Sequence, residues 1–368
     1  MIMALLCAAL EPARNQAALV LGDVGEVAGR HDAGHPDLLV DHRGAGADLL
    51  LGLQDHALGR GGEALLRRLG GMAGLAALAE DRLDLGEACR RADVDGRPRQ
   101  GPGRVDTFNP YKVYFGFPMA SDDTVGTADL PSLWNQKSRE GLWLHWDGNN
   151  NTVTERNKSA AIGAGASEDS LDLDAMKRVE DWIWDLRPPK FPPARIDAPL
   201  AAKGSGHFER LCAGCHSSGG ERLGKTLDLA AIGTDPERLR SFTPDLSNKM
   251  NTIGTGKPWR FSHFRKTDGY AAMPLDGLWL RAPYLHNGSV PTLRDLLNGP
   301  EQRPAVFWRG YDVYDFEKVG FVSSGADAER EGFRFDTAAR GNGRQGHAYG
   351  VDLSESAKRE LIEYLKTL

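Results

Sequence analysis

The chain has 368 residues and a formal charge of −6 at pH 7. That length suits about two domains, and the acidic balance lacks the basic excess that nucleic-acid binding requires. No stretch is long and apolar enough for a membrane-spanning helix, and no internal repeat or low-complexity tract is evident.

Composition shifts along the chain. From Met1 to Val105 there is no Ser, Thr, Lys, Phe, Tyr or Trp, whereas every one of those aromatics falls at or after Phe108. One reading of this Ala/Gly/Leu/Arg-rich segment is a helical domain, but a domain of that size spends aromatics and hydroxyls on its core and caps. Residues 1–100 are therefore read as a mistranslated or disordered segment without function, arising from a wrong frame or a wrong start. Ile2 to Leu10 is apolar but lacks the basic start and small-residue cleavage site of an export signal.

Ordinary protein composition begins near Gly101-Pro102-Gly103-Arg104-Val105-Asp106. Further on stand His145-Trp146-Asp147-Gly148-Asn149-Asn150-Asn151 and a small-residue run from Ala160 to Ala166. Asp172 is placed to cap a helix in which Leu173, Met176, Val179, Ile183 and Leu186 recur at helical spacing. The prolines at 188, 189, 192 and 193 end it, and residues 188–195 read as a linker.

Beyond the linker comes Cys212-Ala213-Gly214-Cys215-His216. C-x-x-C-H is the spacing of c-type haem attachment: two thiols on one turn each add to a vinyl group of one porphyrin, and the next residue offers its imidazole to the iron. A structural zinc site needs four ligands, and the other cysteines, Cys7 and Cys89, are distant. A redox dithiol would want a strand-to-helix setting. Phe208, one turn earlier, suits packing on a porphyrin edge, and Gly204, two turns earlier, suits a close helix crossing. Haem c is the reading adopted, and because such haem is attached outside the cytoplasm, a periplasmic location follows. The closing helix is expected from Asp352, with Glu355 in a capping-box position and Ala357, Leu361, Ile362 and Leu365 as its apolar stripe.

The C-x-x-C-H run, the His145–Asn151 run and Pro283-Tyr284-Leu285-His286-Asn287-Gly288-Ser289-Val290-Pro291-Thr292-Leu293 together resemble the bacterial di-haem cytochrome c peroxidase superfamily. The nearer likeness is to its branch around the periplasmic rubber oxygenases, over about residues 101–368. The resemblance implies two haems, each in its own cytochrome c-like domain, whereas this chain carries one attachment site. Cys212, Cys215 and His216 match the second haem, so the first is expected upstream of Gly101. In the peroxidases a carboxylate moves a proton in the first haem's pocket; the run from Ala160 to Ala166 has none, and Glu168 is displaced from it.

For the sixth position on the iron, His347 matches the distal histidine of the oxygenase-like branch. His286 and Met273 are the alternatives, with Met250 behind them. Trp146 matches the tryptophan between the two haems, a possible electron relay, its other reading being core packing beside Trp143. Arg281 and Lys257 are candidates to pair with haem propionates, since a guanidinium binds carboxylates bidentately. His145, His207 and His263 have no special claim.

The fold expected is mainly α: a cytochrome c-like domain with long irregular loops over residues 196–368, preceded over residues 101–187 by part of a second one. The function expected is electron transfer within a periplasmic di-haem oxidoreductase, peroxidase-like or oxygenase-like, whose partner is a redox protein or a small-molecule oxidant. The alternatives are a mono-haem electron carrier and a fragment without function.

Overall fold

Residues 97–163 and 166–368 are described by the structure, a computed structural model. The segment expected to be mistranslated lies almost wholly outside them, as do Cys7 and Cys89.

In chain order, β1 (Arg104–Val105), α1 (Phe108–Tyr114) and β2 (Ala128–Asp129) precede α2 (Val153–Gly163) and α3 (Leu173–Trp184). Then come α4 (Ala198–Leu211), α5 (Ala213–His216), β3 (Thr226–Asp228) and three short helices, α6 (Leu229–Ile232), α7 (Glu237–Ser241) and α8 (Pro244–Met250). The remainder runs β4 (Gly269–Ala271), α9 (Leu293–Leu296), β5 (Val306–Arg309), β6 (Tyr314–Asp315), β7 (Gly320–Phe321), α10 (Ala326–Glu331), β8 (Phe333–Asp336) and α11 (Glu355–Leu365). The strands form antiparallel two-stranded ribbons: β1–β2, β3–β4, β5–β8 and β6–β7.

This corrects the expectation of a mainly α fold. Helical residues make up 38% and strand residues 10% of the described chain, so the architecture is mixed. The ribbons come from short aromatic and β-branched runs such as Val306–Arg309, whose Phe307 sits opposite Phe335 across the ribbon. Runs of two to four residues are too brief to set up a readable alternation.

The crossing of α4 and α11 is the helix pair that the sequence led us to expect. Asp197 caps α4 by accepting from the Leu200 amide, and Pro199 lies in its first turn. At the crossing stands Gly204, where a methyl group would lie 1.9 Å from the Glu360 carbonyl oxygen. The two backbones touch there, and only glycine permits it. Phe208 packs on Tyr364 of α11 with ring centroids 5.0 Å apart, so its ring is committed to the helix pair. Leu361, Ile362 and Leu365 are buried as the stripe required, but the cap is Ser354 rather than Asp352, its hydroxyl accepting from the Ala357 amide. Asp172 does cap α3, through the Ala175 amide. Of the expected stripe on α3, Ile183 alone is buried, and Leu186 lies past the helix end.

Two features cross the proline-rich residues 188–195. A hydrophobic core joins Phe108, Tyr111 and Ile162 on the amino-terminal side to Phe242, Leu246, Met250, Ile253, Phe261 and Phe264. There is also an internal repeat. Leu144 bridges Asn150 and Tyr284 bridges Val290, each across a tight turn with positive φ at its first residue (His145, Leu285) and at its glycine (Gly148, Gly288). A helix follows each turn, α2 from Val153 and α9 from Leu293. The His145–Asn151 and Pro283–Leu293 runs are thus two copies of one structural unit.

Candidate haem site

The attachment run sits at the break between α4 and α5. Cys212 leaves helical geometry, and its carbonyl accepts from the amides of Cys215 (3.1 Å) and His216 (3.0 Å), closing one tight turn. That turn presents both thiols and the imidazole together. Cys212 and Cys215 are free and partly exposed, and burial, aided by Cys215, pushes the Cys212 thiol up to about 11. No strand leads into the run, unlike the setting of a redox dithiol. Among the described residues no group of three or more His, Cys, Asp or Glu converges as a metal site would need, which leaves the zinc reading without ligands.

His216 is oriented by a main-chain group. Its Nδ1 lies 2.7 Å from the Met273 carbonyl oxygen, so Nδ1 carries the proton and Nε2 is left free to ligate. Facing it is His347, with ring centroids 6.3 Å apart. Two imidazoles bound on opposite sides of one metal, each nitrogen about 2 Å from it, have ring centres roughly 6 Å apart. The His347 ring makes no hydrogen bond to another residue among those described, and its Nδ1 is buried without a partner. Burial, then the neighbouring His216 and Arg303, lowers its pKa to about 4, so the ring is neutral and able to donate a lone pair. Arg303 also donates to the carbonyls of Gly346 and His347, fixing the loop in which His347 has a φ of 45°.

The other candidates make the following contacts. His286 stacks on Tyr270 with centroids 4.2 Å apart, its Nε2 lies 3.0 Å from the Tyr270 hydroxyl, and burial holds its pKa well below the usual imidazole range. Met273 serves the His216 side through its carbonyl. Met250 is in the core with Phe242 and Phe261. Lys257 pairs with Asp169 at 3.0 Å. Glu168 accepts from the exposed Tyr114 hydroxyl. Trp146 is half-buried and donates its indole N–H to the Asp129 carbonyl at 2.6 Å, while Trp143 stacks under Arg265.

Arg281 belongs to a cluster that the sequence did not reveal. Arg139 pairs with Asp276 at 2.8 Å, and Arg281 binds the Pro274 and Asp276 carbonyls and lies 3.5 Å from the same carboxylate. Two guanidinium groups thus share one carboxylate, and the Nε of each is buried without a partner. Burial, then the Arg139 charge, lowers Arg281 to about 10, which marks a place where a further anion would be favoured. The Arg156 side chain, beside Arg139, donates to the Ser132 carbonyl at 3.2 Å. Arg139 and Arg281 each close a 3-10 turn ahead of one copy of the repeated unit, and that was the available signal. The donor set fits haem c: two thiols, two facing imidazoles and a cationic wall for propionates.

Residues 269–309 match the family described as RoxA-like, cytochrome c-like. The uncharacterized protein y4iJ of Sinorhizobium fredii (strain NBRC 101917 / NGR234) is 28% identical over 65% of this chain and 54% of its own length. The uncharacterized protein y4iM of the same organism is 31% identical over 65% of this chain and 64% of its own length. The chain therefore spans between about half and two thirds of these relatives. The family match supports the rubber-oxygenase-like cytochrome branch, and with it a cytochrome c-like domain, haem c binding and electron transfer. No helix among the described residues is long and apolar enough to cross a membrane.

Proposed function

We propose that this chain is the electron-transfer half of a periplasmic di-haem oxidoreductase. Its haem c is attached at Cys212 and Cys215 and ligated by His216 and His347, within a cytochrome c domain over residues 196–368. Residues 101–187 are part of the amino-terminal domain, whose own haem c is attached by sequence that residues 1–100 as given do not contain, and residues 188–195 link the two. The observation that carries this reading is the 6.3 Å separation of the His216 and His347 rings beside the paired thiols.

Bound there, haem c supplies reversible one-electron transfer. The chain's own residues do the rest. The Met273 carbonyl holds the His216 proton on Nδ1, and Arg281 with Arg139 neutralises propionate charge. Trp146 would serve as a polarisable ring for electron transfer between the two haems. An oxygenase-type rather than peroxidase-type reaction is favoured, because the RoxA-like match joins the absence of any carboxylate from the Ala160–Ala166 run. The electron partner is a redox protein or a small-molecule oxidant.

The test is the intact mass of the natural protein from its host periplasm, with peptide mapping of its amino terminus and a count of covalent haems. Two haems per chain and an amino-terminal peptide rich in Lys, Ser and aromatics are expected. One haem on a chain that retains residues 1–100 would instead identify a mono-haem electron carrier.

A further inference from the structure

Placing Ser354 on Asp172 brings α11 and α3 into register. Each of these caps accepts from the alanine amide three positions on, that of Ala357 before α11 and that of Ala175 before α3. Leu361, Tyr364 and Leu365 then fall on Val179, Trp182 and Ile183. The internal repeat therefore extends beyond its turn: each copy is followed first by a helix, α2 or α9, and later by an amphipathic helix of matching pattern.

The two later helices differ in what covers them. On α11, Leu361 is fully buried, and Tyr364 packs on Phe208 of α4 with ring centroids 5.0 Å apart. On α3, Val179 is only half-buried and Trp182 is 53% exposed, a large apolar ring open to solvent. Ala175, Val179 and Trp182 stand at i, i+4 and i+7, so they form one stripe. The stripe is not the side toward α2, which holds Glu180 through the Thr154 hydroxyl and the Asn157 amide. Among the described residues, α3 packs chiefly on α2 and the 3-10 turn Gln136–Arg139, and no helix packs along it as closely as α4 packs along α11.

We propose that this stripe is the docking face of the helix that bears the first haem's attachment cysteines, which residues 1–100 as given do not contain. Such a helix belongs to the di-haem reading, on which this assignment rests. The features it needs are those of α4: Phe208, one turn before the first attachment cysteine, and Gly204, one turn before that. Gly204 meets the carbonyl of Glu360, whose counterpart on α3 is Arg178. The first-haem helix thus brings an aromatic ring against Trp182 and a small residue against the Arg178 carbonyl. A stripe one helix wide suits a single crossing helix, whereas a stable dimer of this chain would want roughly 800 Å² from each copy.

Two measurements on the natural protein from its host test the proposal. Hydroxyl-radical oxidation, read by peptide mass, compares Trp182 with Tyr114, which is 54% exposed in the same structure. Tyr114 is expected to be oxidised, and Trp182 to lose its oxidation under the covering helix. Photo-cross-linking with p-benzoylphenylalanine in place of Trp182 then identifies the cover. The adduct is expected within about two turns before the first haem's C-x-x-C-H. Unchanged haem absorbance and circular dichroism qualify that variant, and oxidation of the unsubstituted protein decides if it does not fold. Oxidation of Trp182 as ready as that of Tyr114 would overturn the proposal, as would a cross-link to a second copy, to another protein or to residues 97–368. A count of covalent haems on the same sample separates the two failures. With two haems the di-haem reading stands and the docking face alone is lost, whereas one haem removes both.

Discussion

At the scale of single residues, His286 shows how burial decides a role. Its ring is packed on Tyr270 beside Arg238 and Arg104, and burial, followed by those two charges, holds its folded pKa well below the usual imidazole value. In the unfolded chain it titrates at about 6.5. Between those two values the unfolded chain binds the extra proton. The contribution is therefore fully present above pH of about 6.5 and is lost as pH falls, by up to about 1.4 kcal/mol per unit. Denaturant unfolding between pH 7 and pH 5.5 should show a shallower dependence in His286→Asn than in the wild-type chain. Equal slopes would mean that the ring titrates normally in the fold. Legibility at this scale followed chain distance. Cys212, Cys215 and His216 are contiguous and stand out as a motif, whereas the Met273 carbonyl that orients His216 is a main-chain atom with no sequence signature. The pairing of Arg139 with Asp276 spans 137 positions, and spacing rules do not reach that far.

Among the elements, the crossing was readable and the caps only in part. Asp172 caps α3 as expected, with Ser170 and Asp174 two positions to either side, whereas before α11 the cap is Ser354 and not Asp352; where several capping types stand close together, the apolar stripe does not choose between them. Gly204 marks the α4–α11 crossing that brings the attachment turn and the closing helix together. Gly204→Ala places a methyl group against the Glu360 carbonyl and must push the helices apart, at a cost of about 1–3 kcal/mol. A lower thermal midpoint with poorer haem incorporation is expected; an unchanged midpoint would mean that the helices are not in backbone contact. The repeated unit was hidden for a different reason. Of its ten aligned positions, 144–153 against 284–293, only Gly148/Gly288 and Thr152/Thr292 are identical. What is kept is the backbone conformation, including the positive φ that glycine supplies. At Gly288 a methyl group would also collide with Asp129 and Arg309, a buried ion pair 2.7 Å long. Gly288→Ala is expected to destabilise the chain more than Gly116→Ala, which also has positive φ but open space around it; similar losses in denaturant unfolding would show that the strain is conformational alone.

For the whole molecule, the decisive fact is that the hydrophobic core runs across the proline-rich segment. Phe242, Leu246 and Phe261 are fully buried, and they pack with Phe108, Tyr111 and Ile162. Residues 196–368 expressed alone would expose that face. They are expected to bind a hydrophobic dye and to unfold at lower denaturant than residues 97–368; equal stability of the two would show that the shared core contributes little. A sequence reading by motif and proline content cannot see such sharing, because buried contacts between distant aromatics leave no periodic mark. The mixed architecture was missed on a related ground, since the strands are short and, in every ribbon but β6–β7, the two partners are separated in the chain by one or more helices.

The central claim is that His216 and His347 hold one iron between them, and electron paramagnetic resonance of the oxidised natural protein tests it most directly. The account expects a low-spin signal typical of two imidazole ligands. In His347→Ala it should give way to high spin while the haem remains covalently attached at Cys212 and Cys215. A spectrum unchanged by His347→Ala would contradict the account and return the sixth position to another residue.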